Sequence, residues 1–193
     1  MAYCTLSELK LQIGITSTSD DTMLTSLIAD AQALIDAQCG RTFEASSDAE
    51  RTFDAVRNVR GRLLILDRDL AQITSIINGD GTTITESQYT TEPRNETPYW
   101  GIRLLASSGI SWTYSTDPED AITIDGRWAW SVTADNVVKK ACLDTAHLMY
   151  SMRDNLVDAT RPLLTGDGNV ILPGEYPKSL RTLIALRRRR TTP

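Results

Sequence analysis

The sequence has little of what most enzymes and metal proteins use. Among 193 residues there is one histidine and there are three cysteines. The lone His147 lies on the polar side of a helical stretch and reads as a surface residue, which leaves nucleophilic or metal-based catalysis without its usual partner. Cys4, Cys39 and Cys142 are odd in number and widely spaced. A disulfide framework or CxxC metal knuckle is therefore not expected, and they read as small buried apolar side chains. Long apolar runs are also missing. The longest aliphatic stretch, Leu63-Leu64-Ile65-Leu66, is far below the roughly 20 residues that cross a bilayer, so no membrane partner is expected. Met1-Ala2-Tyr3-Cys4 has neither the basic patch nor the apolar core of a signal peptide, and a soluble intracellular product is the expectation. An excess of positive charge is missing too: the net charge is −5, so bulk electrostatics does not favour nucleic acid.

The charge that is present is unevenly placed. From Lys178 onward there are six basic residues and no acidic one, leaving −11 for everything before. An acidic body carries a basic tail.

Hydrophobic spacing marks the elements. Thr5-Leu6-Ser7-Glu8 fits a capping box opening a helix over about 5–13, with Leu6, Leu9 and Ile13 on one face and Gly14 closing it. Ser19, Asp20 and Asp21 offer a cap for a second helix over about 20–39. Its stripe is Leu24, Leu27, Ile28, Ala31, Ile35 and Cys39, widened by Leu34, and Gly40 ends it. A third helix spans about 135–154, its apolar face formed by Val137, Val138, Ala141, Cys142, Thr145, Leu148, Met149 and Met152. Between the second and third helices, over about 50–130, Thr, Ile and Tyr alternate with polar residues, and turn signals recur every eight to twelve residues. The expected strands are 51–57, 62–67, 72–78, 82–85, 88–92, 100–105, 110–114 and 121–125. Asn78-Gly79-Asp80-Gly81 is expected to form a hairpin turn with both glycines at positive φ. The fold class expected is α+β: a small bundle of three main helices, an inserted antiparallel β region of short strands, and an extended C-terminal arm. The boundaries expected are a domain over 1–154 and an arm over 155–193, ending in a short basic helix (178–190) that orders on a partner.

Candidate chemistry fails in turn. Gly109-Ile110-Ser111-Trp112-Thr113 begins like a nucleophile elbow but lacks the closing glycine. Asp117-Pro118-Glu119-Asp120 crowds acids at a proline turn and reads as a solvated loop, and Asp67 and Asp69 read as ordinary surface carboxylates. No glycine loop joins a strand to a helix as phosphate binding requires. The sequence points to no catalytic residue, no cofactor and no metal.

Two features remain. Trp128 and Trp130, with Leu24, Leu27, Ile28 and Ile35, are core or interface positions; a tryptophan between sheet and helix buries much apolar area. The basic residues Lys178, Arg181, Arg187, Arg188, Arg189 and Arg190 suit an acidic protein surface or nucleic-acid phosphates.

Four passages together resemble the head–tail connector (adaptor) proteins of tailed bacteriophages. Thr5-Leu6-Ser7-Glu8-Leu9-Lys10 with Ile13-Gly14-Ile15 is similar to the family's opening TLxELKxxLGI. The passage from Asp20-Asp21 through Leu24, Leu27-Ile28 and Ala31 to Ile35-Asp36 resembles DDxLLxxLIxxAxxxID. Cys39-Gly40-Arg41-Thr42-Phe43 matches CGRxF, and Ile122-Thr123-Ile124-Asp125-Gly126-Arg127-Trp128 resembles the I-x-V-x-G-x-W strand ahead of a helix. The β region is longer than in the smallest members, and residues from Asn155 onward carry no motif of the family.

The resemblance implies a structural virion protein at the neck rather than an enzyme. Copies would form a ring beneath the portal, dodecameric in this family, that extends the DNA channel and offers a platform for a stopper or tail protein. The implied partners are the portal protein, neighbouring copies, the stopper or tail-completion protein, and genomic DNA passing without sequence-specific contact. The basic arm would dock on the portal. The alternative from the residues alone is a nucleic-acid-binding module using the arginine tail.

Overall fold

A computed structural model describes residues 2–153, 163–164, 170–171 and 176–189. The chain divides into two compact units: residues 41–134, and a second built from residues 2–40 and 135–193.

The second unit is helical. Helix α1 (Leu6–Ile13) starts at the expected capping box: the Glu8 amide donates to Thr5 Oγ1, and the Thr5 amide donates to the Glu8 carboxylate. Gly14 ends it in the left-handed region, at φ 74°, as the closing residue of a helix commonly does. Helix α2 (Asp21–Cys39) buries Leu24, Ile28, Ala31, Ile35 and Cys39, while Leu27 is half-buried. Its cap differs from expectation. Asp20 stands at the N-cap position but makes no side-chain capping bond; its carboxylate instead accepts from the Tyr150 hydroxyl at 2.7 Å and Arg153 at 3.1 Å. Helix α3 (Asn136–Met152) is capped by Asp135, which accepts from the Val137 and Val138 amides, each at 3.1 Å. It buries Val138, Ala141, Cys142, Thr145 and Ala146. Helices α1, α2 and α3 pack on one another.

The other unit is an antiparallel β assembly. One sheet has the order β1 (Ala49–Phe53), β7 (Ile122–Arg127), β4 (Gln72–Ile77); the second runs β2 (Val59–Arg60), β3 (Leu63–Leu70), β6 (Tyr99–Leu104), β5 (Tyr89–Glu92). Strand β7 shows the period-2 logic: Ile122, Ile124 and Gly126 are buried while Thr123, Asp125 and Arg127 face outward. Phe53, Leu64, Leu66, Leu70, Ile76, Ile102, Leu104 and Trp112 complete the core.

Two expected strands, 82–85 and 110–114, are absent as strands and retain only isolated bridges, Ile77 to Thr83 and Gly79 to Tyr114. For 110–114 the reason is Asn78. Its amide donates to the Ser111 carbonyl at 3.0 Å and accepts from the Thr113 amide at 3.2 Å, so a buried side chain satisfies backbone groups that a ladder would otherwise use. The turn after it also departs from expectation. Gly81 is left-handed, at φ 83°, but Gly79 is not; a Cβ at Gly79 would lie 2.4 Å from the Thr113 carbonyl oxygen, so this glycine serves close approach rather than a turn dihedral.

Much of the expected arm lies outside the described residues. Within it, β8 (Leu163–Leu164) and β9 (Val170–Ile171) pair antiparallel. The basic end is described as helix α4 (Lys178–Arg187), and its setting corrects the expectation of a segment ordered only on a partner. Leu180 and Leu183 are fully buried, and α4 packs on α2 and α3 of its own chain. Leucines at i and i+3 give one helical face, and this one closes the bundle.

Candidate functional site

The basic helix divides its charges between two uses. Arg187 reaches back to Asp135, the N-cap of α3, at 2.5 Å. Burial raises the Asp135 carboxyl, and the Val138 amide, Arg187 and the Val137 amide outweigh it, holding it below the usual carboxylate range. Beyond α4 the Arg189 amide donates to the Cys39 carbonyl at 2.8 Å, satisfying one of the carbonyls that a helix C-terminus leaves open. Arg187 and Arg189 therefore hold the C-terminal segment on the bundle. Lys178, Arg181 and Arg188 are exposed, and Arg190 lies outside the described residues.

The rest of the helical unit is laced by ion pairs. Lys139 lies 2.8 Å from Glu8, Lys10 lies 2.6 Å from Asp21, and Lys140 lies 2.7 Å from Asp144. The Lys139 hydrogen bond, with those from the Thr5 amide and hydroxyl, draws Glu8 down to about 2. Hydrogen bonds from Tyr150 and Arg153 likewise lower Asp20.

Two of the four tryptophans of the β unit, Trp128 and Trp130, are built alike. Trp128 tilts on Phe53 at 5.8 Å, lies under the Arg51 guanidinium at 5.4 Å and donates its Nε1–H to the Ala49 carbonyl at 2.7 Å. Trp130 tilts on Phe43 at 6.3 Å and lies under Arg41 at 4.6 Å. Both are half-buried. Trp112 is the deeper one, with its Nε1–H on the Arg62 carbonyl at 2.9 Å. A sequence reading that set residues 109–113 against a catalytic elbow passed over that packing role; the signal available was a tryptophan among turn residues in an otherwise β stretch.

Three of the carboxylates weighed as chemical candidates, Asp67, Asp69 and Asp120, have structural partners. Asp67 pairs with Arg51 and Asp69 with Arg41. Asp120, at φ 51°, accepts from Thr52 and donates its amide to Asp54. Among the described residues no three His, Cys, Asp or Glu side chains gather as a metal site, and no helix is long and apolar enough to cross a membrane.

This is an α+β protein of helical bundle and short antiparallel strands. Residues 3–63 match the family model of the phage gp6-like head–tail connector protein. The resemblance to phage head–tail connectors is shown there, over the stretch that holds three of the four motif passages. Solved structures share the fold. A chain in the neck of the empty gene transfer agent (GTA) particle, computed with C6 symmetry, superposes with TM-score 0.59 at 14% identity, covering 98% of this chain and 91% of that one. A chain in the neck of the native GTA particle, computed with C12 symmetry, gives TM-score 0.56 at 14% identity, with 97% and 90% covered. A chain of the native GTA virion gives TM-score 0.59 at 16% identity, with 98% and 91% covered. A comparison with curated proteins finds no match.

Proposed function

We propose that this chain is a structural head–tail connector of a virion neck and not an enzyme. The observation that carries the reading is the connector-family match over residues 3–63, a stretch that here forms α1, α2 and the first strands. The shared fold with GTA neck and virion chains supports it. In this reading copies assemble as a ring beneath the portal, dodecameric as in the family, extend the DNA channel and present a platform to a stopper or tail protein. The C12 and C6 symmetries of the two neck structures support a ring.

Electrostatics supplies a division of labour. An acidic body makes a channel wall that does not grip passing DNA, because repulsion keeps the duplex mobile. The basic end docks on acidic portal side chains through charge-assisted contacts. Lys178, Arg181 and Arg188 are the exposed candidates, with Arg190 beside them in sequence. The domain in this reading is 1–154 together with α4, and residues 155–177 connect them.

Mass photometry of the purified protein mixed with isolated portal rings tests the proposal. The expected result is a discrete mass increase equal to a full ring of subunits. Protein that stays monomeric beside unchanged portal rings overturns it.

A further inference from the structure

The fold brings together two cysteines that lie 138 positions apart in sequence. Cys4 precedes α1 and Cys142 lies within α3, and their Sγ atoms are 3.3 Å apart. Both side chains are buried. The hydrogen bond shared with Cys142 lowers the Cys4 thiol below its ordinary value; burial and Glu8 raise it, and Lys139 lowers it. The thiolate is the attacking species in disulfide chemistry, so Cys4 is the sulfur that reacts first. It also lies outside the helices, where local opening takes less free energy than in a packed helix.

We propose that Cys4 and Cys142 are a thiol–disulfide site, oxidised by a small-molecule disulfide such as oxidised glutathione into a bond that ties α3 to the segment ahead of α1. The Cys4 thiolate attacks one glutathione sulfur, the glutathione disulfide bond breaks, and one glutathione thiolate leaves. The Cys4 hydrogen bond and burial hold the Cys142 thiol above its ordinary value; in the locally opened state it gives its proton to the departed glutathione thiolate, and its sulfur attacks Cys4 Sγ and expels the second glutathione thiolate. Two protein thiols are oxidised and one glutathione disulfide is reduced to two glutathione thiols. The sulfurs need to approach by about 1.3 Å to reach bonding distance.

The full-length protein is incubated with oxidised glutathione, alkylated in denaturant and digested without reduction for mass spectrometry. The expected result is that three alkylatable thiols fall to one, Cys39, with a single linked peptide pair carrying Cys4 and Cys142. Tm rises by about 5–15 °C, and dithiothreitol reverses the gain. Cys142→Ala is expected to retain glutathione on Cys4 without that gain, and the wild-type peptide map stands even where this variant does not fold. Three thiols remaining, a link through Cys39, or wild-type protein left glutathionylated at Cys4 overturns the proposal.

Discussion

Arg187 of α4 meets Asp135, the residue that caps α3, at 2.5 Å. One carboxylate thereby closes the start of α3 and anchors the basic C-terminal helix. The tail is consequently both an integral part of the bundle and the carrier of exposed positive charge. Deleting it whole would confuse the two roles, because Leu180 and Leu183 would leave with the charges. Point changes separate them.

Leu183→Ala is expected to destabilise the protein by about 2–5 kcal/mol, the range for truncating a fully buried leucine. Urea unfolding followed by tryptophan fluorescence measures it. A loss below about 0.5 kcal/mol would show that α4 does not close the bundle in solution.

The triple change Lys178→Ser, Arg181→Ser, Arg188→Ser removes exposed charge and leaves the buried leucines alone. The portal-bound mass is expected to disappear while far-UV circular dichroism shows the variant folded. Undiminished portal binding by a folded triple variant would dismiss the docking role of these residues.

Gly79→Ala and Gly81→Ala separate two reasons for glycine in one turn. Gly81 is left-handed with open space around it, so alanine should cost about 1 kcal/mol. At Gly79 the new methyl would lie 2.4 Å from the Thr113 carbonyl oxygen and 2.8 Å from Ala121 Cβ, and a loss above about 2 kcal/mol is expected. Equal losses in thermal melts would count against the close approach.

Trp128→Ala should cost about 2–3 kcal/mol, less than a fully buried tryptophan, since its side chain is only partly buried, and one hydrogen bond is lost as well. Trp128→Phe keeps the ring and forfeits only the bond to Ala49, for about 1 kcal/mol. Chemical melts of the two variants read the difference directly.

Glu8 titrates at about 2 in the folded protein because Lys139 and the Thr5 amide hold its charged form. The unfolded carboxyl lies near 4.3, at roughly the usual value. The contribution is therefore complete above that unfolded value and is lost as pH falls through about 2. Over that window the wild-type urea midpoint is expected to fall more steeply with pH than that of Glu8→Gln. Parallel profiles would show that the capping pair does not govern the acid limb.

Local rules made much of this molecule readable in the amino-acid order. The Thr5–Glu8 capping box, the Leu24-Ile28-Ala31-Ile35 stripe, the closing Gly14 and Gly40, and the alternation of Ile122 and Ile124 each depend on residues within about one or two turns of one another. Motifs over residues 5–43 carried the resemblance to the connector family for the same reason: they are contiguous. What escaped depended on partners distant in the chain. Asn78 replaced a strand ladder by bonding residues 111 and 113, Asp20 left its cap for Tyr150, and Cys4 found Cys142 across 138 positions. The same physics divided the arginines. Composition and order determined that a basic tail exists, but only packing of Leu180 and Leu183 against α2 and α3 decided that the Arg187 guanidinium turns inward to Asp135 while Lys178, Arg181 and Arg188 are exposed. A charge is set by its residue; its partner is set by whatever the folded chain places within about 4 Å of it.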